Sequence, residues 1–153
     1  MANTYTQIHL QFVFVTKFRS SFINPIWEDE LYKYITGIVQ NNHHKMLCIN
    51  GMSDHIHMLV GFRPSQSISE FMKDVKANSS KWINANKLTP TRFQWQSGYG
   101  AFSYSKSHIP RVISYINNQK KHHQKTTFLE EYKTFLEKFQ VEYYENYIFH
   151  EPN

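Results

Sequence analysis

Asp54-His55-Ile56-His57-Met58-Leu59-Val60 is the stretch on which the fold turns. It reads as a buried β-strand, in which alternate side chains share a face. His55 and His57 then point one way, while Ile56 and Met58 point into an opposite core layer. Imidazole is costly to bury alone, so two on one strand face suggest a site that grips a divalent metal. A third ligand and a reactive group must come from elsewhere in the chain.

Working outward, Ser53-Asp54 makes a tight turn from a strand at about 45–51 into the histidine strand at 55–62. Upstream, residues 7–16 alternate and then become wholly apolar, as a central strand does. Asn24-Pro25 supplies an N-cap and a helix-compatible proline for a helix from Ile26 to Asn41, with Trp27, Leu31, Tyr34, Ile35, Ile38 and Val39 inward. Downstream, Ser67 caps a long helix to about Asn86, and a fourth strand follows near Tyr99 to Tyr104. The order β-α-β-β-α-β is the split βαβ plan of a ferredoxin-like (RRM-like) α+β domain with an antiparallel sheet. Its first and third strands lie at the centre, which puts His55 and His57 there. Two more helical patterns, about Ser107 to Lys125 and Thr127 to Phe139, lie outside that plan. We read residues 1–153 as one domain, with a core over about 5–125 and a helical tail over about 126–153.

Charge is segregated. The net charge is +5, yet residues 75–129 contain no carboxylate and nine cations, among them Lys76, Lys81, Arg92, Arg111 and Lys120. The rest of the chain holds 8 cations against 12 acids, so the window contributes +9 and the remainder −4. Such a stretch is the footprint of a polyanion-binding face. The lone Cys48 excludes an intramolecular disulfide and fits a reducing cytoplasm as a small core residue. No apolar run approaches a membrane span, no signal peptide precedes Tyr5, and no Gly-rich phosphate loop calls for a nucleotide cofactor.

After the fourth strand, Ser107 reads as an N-cap and Pro110 sits in the first turn. Ile109, Val112, Ile113 and Ile116 form the apolar stripe. At about 100° per residue, Tyr115, Gln119, His122 and His123 fall on one polar ridge. Packed on the exposed sheet face, this ridge would complete a site begun by the histidine pair.

Here the chain resembles a family. His55-Ile56-His57 looks like the HUH motif, and Tyr115-Ile-Asn-Asn-Gln119 like the single-tyrosine motif, of the TnpA-type transposases of small bacterial insertion sequences. Thr16-Lys17-Phe18-Arg19, Trp95 to Ser103 and Asn118-Gln119-Lys-Lys-His122-His123 are similar as well, so the likeness spans about residues 5–148. It implies a metal-dependent nuclease and strand transferase acting on single-stranded DNA. His55, His57 and Gln119 would bind the metal. Tyr115 would attack the DNA phosphorus, forming a 5′-phosphotyrosine and releasing a 3′-hydroxyl. It further implies a homodimer with active sites shared between subunits, and recognition of hairpins at the element's ends.

The residues agree with that chemistry. A tyrosine hydroxyl titrates near about 10, so it needs help at neutral pH, and a divalent ion polarising the phosphate supplies it. Three neutral ligands suit Mg²⁺ or Mn²⁺. Lys17, Arg19, Arg111 and Lys120 are candidate DNA contacts, and Asp54 is a candidate partner for a ligand histidine. Trp95, Tyr99 and Phe102 read as core packing before base stacking. His9 is expected beside the pair. His122 and His123 read first as the cationic end of a basic helix, with an extra ligand or a phosphate contact as the alternative. Two other readings are a domesticated relative that nicks hairpin DNA without moving its own gene, and a non-catalytic RRM-like module. The latter lacks the aromatic pattern on its first and third strands, where the histidines stand instead.

Overall fold

A computed structural model describes residues 4–20, 22–124 and 126–142. Its elements are β1 (His9–Val15), α1 (Pro25–Asn41), β2 (Lys45–Met52), β3 (His55–Gly61), α2 (Ile68–Ala85), β4 (Gly100–Tyr104), α3 (Ile109–Asn117), α4 (Gln119–His122) and α5 (Phe128–Lys138). All strand pairs are antiparallel in the order β2-β3-β1-β4, so β1 and β3 are central as expected. No helix among the described residues is long and apolar enough to cross a membrane.

Register decides the two faces. Val13 pairs with His57 and Val15 with His55, while Phe12 pairs with Met58 and Phe14 with Ile56. Phe12, Phe14, Ile56, Met58 and Val60 form one buried layer under α1 and α2, with Leu31, Ile35, Phe71, Met72 and Val75. The caps that start these helices are those read from sequence. The Asn24 side chain accepts from the Ile26 N–H and the Ser67 hydroxyl from the Glu70 N–H. Tyr34 is a local exception: it is exposed and stacks on Trp82, and Tyr32 takes the inward place.

The other face is covered, not open. Val13, Val15 and Phe102 pack against Phe128, Tyr132, Phe135 and Leu136 of α5. Leu59 packs against Val112 and Ile116 of α3. The segment read as a tail thus supplies a second core. The helix expected over 107–125 is also broken. A 3-10 turn over 106–108 leads into α3, whose N-cap is His108, and Ser107 caps nothing. The break after Asn117 has a tertiary cause: the Asn50 amide on β2 donates to the carbonyls of Ile116 (3.0 Å) and Asn117 (3.2 Å), taking acceptors that a continuous helix needs.

The β2–β3 hairpin that aims the histidines depends on one glycine. A Cβ at Gly51 would overlap the carbonyl oxygen of His55, whereas one at Gly61 would make an ordinary 3.5 Å contact with the Lys45 Cβ. Gly51→Ala should therefore lose about 2 kcal/mol or more in urea unfolding, and Gly61→Ala about 0.5 kcal/mol or less. Equal losses would contradict this account of the hairpin.

Candidate active site

Both motif histidines are fully buried, and each ring nitrogen has a partner. The Asp54 carboxylate, at the turn before β3, accepts from His55 Nδ1 at 2.7 Å, which leaves Nε2 facing inward. Burial would raise the Asp54 pKa, but its bond to His55 and the Arg19 charge outweigh this and hold it low. On His57, Nδ1 lies 2.9 Å from the Gln11 amide nitrogen, and the Gln11 oxygen accepts from the Tyr104 hydroxyl at 2.9 Å. Rotating the Gln11 amide would present its oxygen to Nδ1, so Gln11 can serve either tautomer of His57.

α3 and α4 bring the remaining candidates to this pair. Gln119 is fully buried, its Oε1 lying 3.3 Å from His55 Nε2 and 3.0 Å from His123 Nε2. His123, read from sequence as part of a cationic helix end, donates instead from Nδ1 to the Thr126 carbonyl at 2.9 Å and turns Nε2 inward. The Tyr115 ring lies 5.9 Å from that of His57 and 5.2 Å from that of His122. The tyrosine, the glutamine and both motif histidines therefore meet within one chain.

The group that sequence reasoning missed is Glu131 on α5, which is 4% exposed and central to the cluster. Its Oε1 lies 3.0 Å from His57 Nε2, 3.2 Å from His123 Nε2 and 3.9 Å from His55 Nε2. Its Oε2 accepts a short hydrogen bond from the Tyr115 hydroxyl and another from Gln119 Nε2 at 3.1 Å, with His122 Nε2 at 3.3 Å. Burial raises Glu131 to about 7. A signal was present: Phe128, Glu131, Tyr132, Phe135 and Leu136 share one helix face, and a carboxylate on an apolar stripe needs a reason.

The donors fit a metal. Ligand atoms of His55, His57, His123 and Glu131 all lie within 4.8 Å of one another. Burial holds His57 down near about 3 and His123 near about 4, so both stay neutral and able to ligate. Beside them a cleft of about 700 Å³ is lined by Arg111, Tyr115, His122, Glu131 and Lys138, giving access from solvent.

The other sequence candidates divide. Lys17 lies on a larger groove of about 1160 Å³, with Lys73, Lys76, Lys81, Arg92 and Trp95. Arg19 is not on that surface. The turn after β1 places Phe18 and Arg19 at positive φ (57° and 51°), which sends Arg19 inward, 3.5 Å from Asp54 and over the Phe128 ring. Arg111 is exposed at the cleft. Lys120 pairs with Glu28 at 2.7 Å and donates to the Gly51 carbonyl at 2.8 Å, clasping α4 to the hairpin. His9 shares the face of the pair but sits at the far end of β1, opposite Gly61. Trp95 and Phe102 pack in the two cores, as read. Burial pushes the Cys48 thiol up to about 11, in keeping with a packing role.

Comparison with known proteins points one way. The family model described as "Transposase IS200 like" matches residues 4–119, which covers β1 through Gln119. Among solved structures, a Deinococcus radiodurans R1 protein assigned as a transposase superposes with a TM-score of 0.62 at 22% identity, covering 78% of this chain and 95% of that one. A REP-associated tyrosine transposase bound to a REP hairpin gives 0.59 at 13% identity, covering 80% of this chain and 73% of that one. At these identities the likeness is one of fold. No curated protein matches the chain significantly.

The buried cluster also sets a pH response. His55, His57 and His123 are all depressed from 6.5 by burial, so below that value the unfolded chain takes up three protons that the fold refuses. Glu131 acts oppositely: raised from 4.5, it adds stability at low pH that is lost as pH rises through about 7. Three protons outweigh one, so thermal stability should fall as pH drops from about 6.5 toward 4. His123→Gln should flatten that slope in thermal scans, and an unchanged slope would contradict a neutral buried His123.

Proposed function

Since the chain belongs to the family of IS200-like transposases, we propose that it cleaves and rejoins single-stranded DNA at hairpin-marked ends, with Tyr115 as nucleophile. The observation that carries this reading is the meeting of Tyr115 and Gln119 with the His55–His57 pair in one buried site beside an open cleft.

In the reaction, the Tyr115 hydroxyl loses its proton to water as its oxygen attacks the scissile phosphorus. The bond from phosphorus to the 3′ oxygen breaks, and that oxygen takes up a proton from water, leaving a 5′-phosphotyrosine and a free 3′-hydroxyl. His55, His57 and Gln119 would hold a divalent ion, Mg²⁺ or Mn²⁺, which would draw charge from the phosphate when bound. Asp54 fixes the His55 tautomer so that Nε2 faces the site. Arg111 and Lys138 at the cleft, and Lys17 and its neighbours on the larger groove, meet the DNA backbone. Arg19 is buried in the fold, whereas Lys120, paired with Glu28, stays half exposed and remains a DNA contact in this reading. The phosphotyrosine link keeps a phosphodiester's bond energy, so rejoining to a second 3′-hydroxyl needs no nucleotide cofactor. A domesticated relative that only nicks hairpins would use the same groups, and flanking element ends beside the gene would separate the two.

Incubation with a hairpin-bearing single-stranded oligonucleotide from the gene's flank, plus Mg²⁺ or Mn²⁺, should give a covalent protein–DNA adduct on denaturing gels. Tyr115→Phe should abolish the adduct while binding, read by gel shift, persists. An adduct from the Phe variant would sink the assignment.

The family resemblance implies sites shared between two subunits of a homodimer. This chain holds Tyr115 against its own His57, and we take each site as complete within one subunit. Mixing Tyr115→Phe with His57→Ala subunits should then restore no adduct formation. Recovery in confirmed mixed dimers would establish sharing instead.

A further inference from the structure

With the Glu131 carboxylate ionised, His123 and Glu131 face each other lone pair to lone pair. His123 Nδ1 faces only the Thr126 carbonyl, so its proton is there and Nε2 carries a lone pair. That lone pair looks at two acceptors, Gln119 Oε1 at 3.0 Å and Glu131 Oε1 at 3.2 Å. His55 repeats the pattern: Nδ1 donates to Asp54, and Nε2 faces Gln119 Oε1 at 3.3 Å and Glu131 Oε1 at 3.9 Å. Turning the Gln119 amide moves the conflict to the ionised Glu131, because its oxygen would then face Glu131 Oε2. Converging lone pairs in a dry site call for a cation among them.

We propose that His123 and Glu131 complete the metal centre, and that the Glu131 carboxylate spans it, with Oε1 toward the ion and Oε2 holding the Tyr115 hydroxyl. This rests on the reading of Tyr115 as nucleophile and goes beyond the His55, His57 and Gln119 set. Glu131 becomes both a ligand and a positioning residue. It ties the nucleophile to the ion through one rigid group and brings α5 into the site. Three imidazoles, an amide oxygen and one carboxylate make a nitrogen-rich set, which ranks Mn²⁺ above Mg²⁺.

The test begins with Mn²⁺ and the DNA-free full chain. Calorimetric titration should show Glu131→Gln and His123→Gln each weakening Mn²⁺ binding about tenfold or more, with wild type preferring Mn²⁺ over Mg²⁺. At saturating Mn²⁺, Glu131→Gln should slow adduct formation about tenfold while oligonucleotide affinity stays within about twofold, as loss of positioning requires. Should the variants fail to fold, wild type still decides: Mn²⁺ should slow amide exchange across Phe128–Lys138 by tying α5 to β3. Unchanged Mn²⁺ affinity in both variants, or unchanged exchange in α5, overturns the proposal. Faster adduct formation by Glu131→Gln overturns it too, since the carboxylate would then merely fill the place of the phosphate. Because metal binding is read without DNA, a failure of cleavage would count against the transposase reading and leave this one to be judged separately.

Discussion

Two imidazoles at the centre of a sheet must find a partner for every nitrogen, and the rest of the molecule is arranged around that demand. Asp54, Gln11, Gln119 and Glu131 come to those nitrogens from a turn and three different elements. Each carries its own support: Arg19 and the Thr16 N–H hold the Asp54 turn, and Tyr104 holds Gln11. Burial is what makes the arrangement consequential. In water these groups would be ordinary; dried out, their lone pairs and protons must be matched almost one for one.

Much of the fold was legible because it follows local rules. Strand alternation predicted which side of β3 the histidines take, and Asn24 and Ser67 announced α1 and α2 through capping chemistry. The site was half legible for the same reason: His55, His57, Tyr115 and Gln119 lie in short motifs whose spacing survives in three dimensions. What escaped was tertiary. Asn50 breaks the tyrosine helix from across the sheet, and no helical period reveals a competing donor on a distant strand. Arg19 looked like a surface cation because two left-handed residues reverse the chain just there, and neither is a glycine. Glu131 and His123 needed α5 to fold over the sheet, a docking that an amphipathic stripe permits without specifying its target.

Charge follows the same division between local and global. The carboxylate-free stretch does supply cations to the large groove, through Lys76, Lys81 and Arg92. The first acids after it, Glu130 and Glu131, part company: one is exposed and the other is the counter-charge at the heart of the site. Segregation along the chain thus marks both a cationic groove and the point where negative charge returns.

The roof formed by α5 ties the gene's last third to the histidine strand β3. The family match ends at Gln119, so an early stop codon just beyond it would leave the His55–His57 pair and the Tyr115–Gln119 motif in place. Such a copy would still expose Val13, Val15 and Phe102 to water and strip Glu131 from the cluster. Intact motifs are therefore a poor guide to which copies of such an element still work; the reading frame through Lys138 is the better one.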